Sequence, residues 1–108
     1  MTWPLRVVTV HGPSMVPTFR HGDRLLVWLR APRRTPEVGT VVLVQLPDRP
    51  LSVKRLTGVE PDGSVRVEGD NPLGSTDSRQ LGALPAAALR GRVLRRLRRP
   101  ESRSEAPR

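Results

Sequence analysis

At 108 residues the chain is long enough for one compact domain and has no room for a second. It contains no cysteine, which excludes disulfide bonds, thiolate metal sites and a cysteine nucleophile. Only 3% of the residues are aromatic, whereas 9 glycines and 12 prolines fall between short runs of valine and leucine. This composition predicts many short strands joined by turns.

The net charge of +9 is unevenly distributed along the chain. Residues 90–108 contain eight arginines and two glutamates, while the preceding part carries eleven basic and eight acidic side chains. A basic run of this kind is typical of a solvated tail, and its alternative is contact with an anionic membrane or nucleic acid. The scarcity of aromatic side chains that could stack on bases argues against nucleic acid. We expect one catalytic domain over residues 1–99 and a flexible basic tail over 100–108.

The apolar runs are short, and the longest cover residues 25–29 and 41–44. A membrane-spanning helix needs about 20 apolar residues, so we expect none here. Pro4 and Arg6 interrupt the first ten residues, which lack the apolar core of a signal peptide. We therefore expect a cytoplasmic location, with peripheral contact with the inner face of a membrane as a further option.

Alternating apolar residues bounded by glycine and proline predict strands in chain order at 5–11, 24–29, 41–46, 51–59, 65–68 and 92–97. Hairpin turns are expected at 47–50 and 61–64, a polar loop at 69–82 and a helical turn or short helix near 85–89. The fold predicted from this pattern is mostly β. It is a small, strongly bent antiparallel sheet or partly closed barrel with one short helix.

The single lysine is the most informative residue for chemistry. Of 19 basic residues, 18 are arginine and only Lys54 is lysine. A guanidinium stays protonated in proteins, whereas a buried ammonium loses its proton more readily, so a catalytic base is a role that arginine cannot fill. Lys54 lies inside a predicted strand beside Val53 and Leu56, where burial would lower its pKa. The alternative interpretation is that a single lysine occurs at this position by chance.

Ser14 follows Gly12-Pro13 at the turn after the first predicted strand. A serine at such a place is commonly a turn residue or a helix cap, and as a nucleophile it needs a neighbouring base. His11 and His21 are alternative bases, but a Ser-His triad fits their positions poorly. Two histidines without cysteine also make a poor metal site, and we expect no metal or cofactor.

Several short segments together resemble the signal peptidase I family of Ser-Lys dyad serine peptidases. They are Gly12-Pro13-Ser14-Met15-Val16-Pro17-Thr18, Gly22-Asp23, Val53-Lys54-Arg55, Gly69-Asp70-Asn71 and Ser75-Thr76-Asp77-Ser78-Arg79. The similarity in order and spacing runs from about Val8 to Val93. The compact form with Gly69-Asp70-Asn71-Pro72 is most similar to the nickel-type superoxide dismutase maturation peptidases.

The resemblance implies that Ser14 is the nucleophile and Lys54 the general base. It implies that Ser75 orients the lysine amine, while Asp77 and Arg79 form an ion pair that supports the loop. Some relatives carry a serine two positions before the nucleophile as an oxyanion donor, but this chain has Gly12 there. The shallow apolar pockets for substrate are expected to be lined by Val8, Val10, Met15, Phe19 and Val53. Replacing Arg55 with lysine is expected to be tolerated.

The predicted function is a serine endopeptidase that removes a short N-terminal extension from a precursor, with a nickel superoxide dismutase precursor as the first candidate partner. One alternative is a signal peptidase that acts on secreted preproteins at the membrane surface. Another is a basic β-barrel without catalytic activity that binds anionic lipid or nucleic acid. The arginine-rich C-terminus is the part expected to contact an anionic membrane.

Overall fold

The computed structural model describes residues 3–98. Six strands are present: β1 (Leu5–Thr9), β2 (Arg24–Trp28), β3 (Val41–Gln45), β4 (Leu51–Val59), β5 (Val65–Glu68) and β6 (Leu89–Arg98). They form one antiparallel sheet in the order β1-β2-β6-β3-β4-β5. One helical turn, α1 (Ser78–Leu81), and two 3-10 turns, Pro72–Gly74 and Ala86–Ala88, lie between β5 and β6.

The predicted mostly β, antiparallel fold is confirmed, and of the two forms expected the described residues adopt the open sheet. β1 and β5 are its edges. Irregular register between β2 and β6, β3 and β6, and β4 and β5 interrupts the ladders. Such bulges bend and twist a strand locally, so they account for the curvature expected of this sheet.

Strand β3 is buried on both faces, which places the core on both sides of the sheet. Val42 and Val44 belong to one apolar cluster and Leu43 to another. Successive side chains of a strand point to opposite faces, so the two clusters lie on opposite faces of the sheet. The first cluster comprises Val42, Val44, Leu46, Leu56, Val65, Val67, Leu84 and Leu89. The second comprises Val10, Met15, Phe19, Leu25, Val27 and Leu43.

The segment near 85–89 contains the helical turn expected there, and a further helical turn lies earlier in the chain. The segment near 85–89 forms only a 3-10 turn, whereas Ser78–Leu81, within the predicted polar loop, is α-helical. Asp77 and Gln80 explain the difference, because they form a reciprocal capping box at the start of this helix. The helical turn expected near 85–89 is therefore present as a 3-10 turn, whereas the capping pair, which is readable in the sequence, was missed.

The basic segment is an interior strand up to Arg98 and not a solvated tail. β6 begins at Leu89, three residues before the predicted start, and pairs with both β2 and β3. Arg90, Arg92, Arg95 and Arg96 are exposed on this strand. The predicted tail over 100–108 and its boundary at residue 99 lie outside the described residues and stay predictions.

No helix within residues 3–98 is long and apolar enough to cross a membrane.

Gly91 lies where β6 passes close to the backbone at the end of β2. A Cβ added at Gly91 would overlap the carbonyl oxygen of Trp28 and lie 3.1 Å from the Cα of Leu29. Both neighbours are backbone atoms, so relief requires the strands to move apart.

We therefore expect Gly91→Ala to lower the free energy of unfolding by about 2 kcal/mol or more, measured by urea denaturation. Gly58→Ala is the matched control, because its added Cβ would lie 3.9 Å from the nearest atoms of Arg66. This is ordinary van der Waals contact, so we expect a change within about 0.5 kcal/mol. Equal effects of the two substitutions would show that the β2–β6 passage is not the constraint described.

Candidate active site

Ser14 lies in the turn that follows β1, and Asn71 holds the backbone on both of its sides. The Asn71 amide N–H donates to the Ser14 carbonyl oxygen at 2.9 Å. The Asn71 side-chain Nδ2 donates to the Pro13 carbonyl oxygen at 3.1 Å. Met15, the next residue, is fully buried in the second apolar cluster. The hydroxyl-bearing residue is therefore fixed by its backbone and its neighbours while its own side chain stays partly exposed.

The Lys54 side chain, on β4, is almost completely buried. It pairs with Val42 of β3, and only 5% of its surface is exposed. Its Nζ donates to the Ser75 hydroxyl oxygen at 2.9 Å. Burial lowers the pKa of the Lys54 amine, and the positive charges of Arg49 and Arg79 act in the same direction, against the opposing effect of Asp77. The amine therefore loses its proton more readily than an exposed lysine does.

Asp77 is the main hydrogen-bond acceptor in the loop of residues 69–79, which contacts Lys54 through Ser75. Its side chain is fully buried, and it accepts hydrogen bonds from the Ser75 hydroxyl, from the Gly69 amide at 2.8 Å and from Arg79 Nη2 at 2.7 Å. Burial by itself would raise the pKa of Asp77, but the bonds from Arg79, Ser75 and Gly69 outweigh it and hold this pKa well below its usual range. Asp77 is therefore a permanent carboxylate that is fully occupied by donors.

The expected ion pair between Asp77 and Arg79 is present, and Arg79 also ties the loop to the end of β5. Its Nη2 donates to the Gly69 carbonyl oxygen at 2.7 Å. Because Arg79 neutralises Asp77, the carboxylate does not hold the neighbouring lysine fully in its cationic form. This arrangement separates the orienting role of Ser75 from the charge of Asp77.

At Gly69 the turn that contains Ser14 comes into contact with the loop of residues 69–79. An added Cβ would lie 2.5 Å from the Ser14 carbonyl oxygen and would overlap the Ser75 hydroxyl. Both are groups of the predicted site, so even a methyl group would force them apart. The sequence analysis identified no specific role for this glycine.

Ser14 and Lys54 line the same cleft, whose volume is about 400 Å³. Within residues 3–98, Lys54 Nζ donates to Ser75 and not to Ser14, whose Oγ makes no hydrogen bond. The Ser14 backbone N–H likewise has no acceptor among the described residues, so it is available as an oxyanion donor. The structure thus brings the sequence-predicted serine and lysine to one surface that a peptide can reach.

The residues predicted to bind substrate divide into two groups. Val10, Met15 and Val53 line the cleft. Val8 and Phe19 do not line it: Phe19 is a buried member of the second apolar cluster, to which Val10 and Met15 also belong, and Val8 packs against that cluster partly buried. Phe19 lies in the turn after β1, where its amide donates to the Met15 carbonyl oxygen at 2.9 Å.

The two histidines are engaged with each other and with the backbone. His21 Nδ1 accepts from the Gly12 amide at 2.9 Å, and the rings of His11 and His21 pack edge to face with centroids 5.6 Å apart. His11 also lines the cleft. No group of three or more metal-ligating side chains occurs within residues 3–98.

A second ion pair, which the sequence analysis missed, joins three parts of the site. Arg55, next to Lys54, donates to both carboxylate oxygens of Asp70, from Nε at 2.9 Å and from Nη2 at 2.7 Å. The Thr18 hydroxyl donates to the same carboxylate, and Arg55 Nη1 reaches the Gly39 carbonyl oxygen at 2.8 Å. Asp70 thereby links β4 to the Ser14 turn. Nothing in composition distinguishes Arg55 from the other arginines, although its place beside Lys54 and that of Asp70 beside Gly69 were hints.

This geometry argues against the expectation that Arg55→Lys is tolerated. A single ammonium cannot reproduce the two parallel bonds to Asp70 together with the third to Gly39. We expect Arg55→Lys to lower the free energy of unfolding by about 1 to 3 kcal/mol, measured by urea denaturation. The loss is not larger because the Arg55–Asp70 pair is partly exposed to solvent. Arg20→Lys, a substitution of an exposed side chain, should change it by less than about 0.5 kcal/mol. Indistinguishable stabilities for the two variants would remove the link described here.

Comparison with known proteins identifies a family over most of the chain. Residues 4–93 match the family described as Peptidase S24-like. The mitochondrial ATP-independent inner membrane protease subunit 1b of Arabidopsis thaliana is 32% identical, over 81% of this chain and 66% of that protein. The mitochondrial inner membrane protease subunit 1 of Xenopus tropicalis is 37% identical, over 84% of this chain and 68% of that protein.

The signal peptidase complex catalytic subunit SEC11 of Chaetomium globosum is 33% identical, over 63% of this chain and 42% of that protein. The chain thus spans about two thirds of the length of the inner membrane protease subunits and less of SEC11. These relatives support a signal-peptidase-like protease, but none of them is a nickel superoxide dismutase maturation peptidase, so that finer resemblance is not supported. The chain belongs to the Peptidase S24-like family.

Proposed function

We propose that this protein is a serine endopeptidase in which Ser14 is the nucleophile and Lys54 the general base. The observation that supports this most strongly is a lysine that is 5% exposed, has a lowered pKa and lines the same cleft as Ser14. A hydroxyl nucleophile needs a base that is neutral near working pH, and a buried lysine provides one.

In the proposed reaction, the neutral Lys54 amine accepts the proton of Ser14 as Oγ attacks the scissile carbonyl carbon. The Ser14 N–H donates to the oxyanion that develops on the substrate. The ammonium of Lys54 then returns the proton to the leaving amine, and the new N-terminus departs from an acyl-enzyme. Water, deprotonated by the same amine, attacks the ester carbonyl, and the proton returns to Ser14 as the product acid is released.

The strand pairing suggests how a peptide reaches this site. β5 pairs with β4 only from Arg55 onward, whereas β4 pairs with β3 from Leu51 onward. The side of residues 51–54 that faces away from β3 therefore has no strand partner among the described residues, and this segment lines the cleft. An extended peptide can add to such an edge through main-chain hydrogen bonds. This favours a flexible segment, such as an N-terminal extension, over a folded substrate.

Two candidate precursors differ in where the reaction would occur. The nickel superoxide dismutase precursor expected from the sequence resemblance is soluble, and its processing fits the predicted cytoplasmic location. A preprotein at a membrane surface is favoured instead by the relatives, whose names include inner membrane proteases and a signal peptidase complex subunit. Contact of the arginine-rich C-terminus with anionic lipid would suit this second candidate and stays a prediction.

Co-expression with each precursor distinguishes the candidates. Mass spectrometry should detect a shortened N-terminus with the wild-type chain and the full-length precursor with Ser14→Ala. Trimming of the dismutase precursor alone supports the first candidate, and trimming of the membrane preprotein alone supports the second. A chain without catalytic activity would leave both precursors uncut, which would contradict the proposed function.

The dyad predicts a specific pattern of variant activities on any cleaved peptide. Ser14→Ala and Lys54→Arg should each lower kcat/KM by far more than tenfold while circular dichroism shows the fold intact. Ser64→Ala, in the turn between β4 and β5, should leave kcat/KM unchanged because its hydroxyl donates only to Asp62. If Lys54→Arg kept more than about a tenth of wild-type activity, a loss below about 1.4 kcal/mol, a neutral lysine could not be the base.

The charge of Arg49 predicts the pH dependence of the reaction. Activity should rise with pH on the acidic side, because only the deprotonated amine of Lys54 acts as base. Arg49 lowers the pKa of that amine, so removing its charge in Arg49→Gln should raise the pKa and move the acidic limb to higher pH. The control Arg20→Gln should leave the limb in place. A limb that shifts to lower pH in Arg49→Gln, or does not shift at all, would contradict this assignment.

A further inference from the structure

A second cleft, of about 370 Å³, lies where β2 ends and β6 begins. Its lining includes Trp28, Arg30, Arg33, Arg34 and Arg92. None of its lining residues belongs to the cleft of Ser14 and Lys54. The proposed peptidase reaction therefore makes no use of it.

Four arginines line this cleft, and no aspartate or glutamate is among its lining residues. The ion pairs found within residues 3–98 involve Arg55 and Arg79, and none involves an arginine of the second cleft. Arginine stays protonated at any physiological pH, so the positive charge of the cleft is permanent. Like charges in one cleft repel one another, and an anion that binds between them removes that cost.

The walls of this cleft are held by residues with little conformational freedom. Pro32 and Pro36 flank Arg33 and Arg34 in the loop that follows β2, and each proline fixes its own φ angle. On the strand side, Gly91 brings β6 against the backbone of Trp28. A ligand that binds here orders less of the chain than it would on a flexible loop, which favours affinity.

We propose that this cleft binds a multiply charged phosphate group. Guanidinium groups match phosphate oxygens through pairs of parallel hydrogen bonds, and several converging arginines suit a ligand with more charge than one carboxylate. Phosphate of this kind occurs both in soluble phosphate compounds and in the headgroups of anionic lipids. Binding at this cleft does not depend on the peptidase activity.

Isothermal titration calorimetry on the full Ser14→Ala chain tests the proposal, with inorganic pyrophosphate as the soluble probe at physiological salt. A second arm measures sedimentation with vesicles of phosphatidylcholine alone or mixed with phosphatidic acid. Saturable binding of pyrophosphate would show that the ligand of this cleft is a soluble phosphate compound. Binding only to the vesicles that contain phosphatidic acid identifies a lipid headgroup.

The decisive comparison is between two double variants that remove the same charge. Arg33→Gln/Arg34→Gln should weaken binding by about tenfold or more, since charge-assisted hydrogen bonds are lost. Arg20→Gln/Arg24→Gln removes two exposed arginines outside the cleft and should change affinity by less than about twofold. Equal weakening by the two pairs would reveal attraction to net charge alone and overturn the proposal. The proposal would also be overturned if neither pyrophosphate nor the vesicles that contain phosphatidic acid bound saturably.

Discussion

The burial of one amine is the constraint on which the rest of the site depends. Lys54 is nearly inaccessible to solvent on a strand that contributes to the core. Within the described residues, the only hydrogen bond of its side-chain amine goes to Ser75. Water would stabilise the charged amine, so its exclusion favours the neutral form that can accept a proton. The protein gives up some stability here, because an apolar side chain in this place would avoid the desolvation of the amine.

The segment from Gly69 to Arg79 controls how this amine meets the serine turn. Asp77 collects donors from Ser75, Arg79 and the Gly69 backbone, so its charge is satisfied within the loop. Asn71, in the same segment, donates hydrogen bonds to the carbonyl oxygens of Pro13 and Ser14. A single loop therefore contacts the Lys54 amine through Ser75 and holds the backbone of Ser14 through Asn71. This supports a preorganised site in which little of the chain must move for reaction.

The sequence predicted the strands and singled out Ser14 and Lys54, which the structure places on one cleft, for different reasons. Alternating apolar residues between turns predicted five of the strands closely. The sixth was predicted three residues too short at its start, and the sequence did not indicate that β6 lies between β2 and β3. Lys54 stood out because it is the only lysine among 19 basic residues. Arg55 had no such distinction, and its bond to Asp70 depends on a register that only the folded sheet defines. The inward position of Phe19 likewise follows from turn geometry that residue spacing does not specify.

The central claim, that Lys54 is poised to be neutral, is open to direct measurement because the chain contains one lysine. Protein labelled with ¹³C at the lysine side chain has a single Cε resonance, whose chemical shift reports protonation of the amine across a pH titration. The account predicts a pKa below the ordinary 10.5, and a value at or above 10.5 in the folded protein would contradict it.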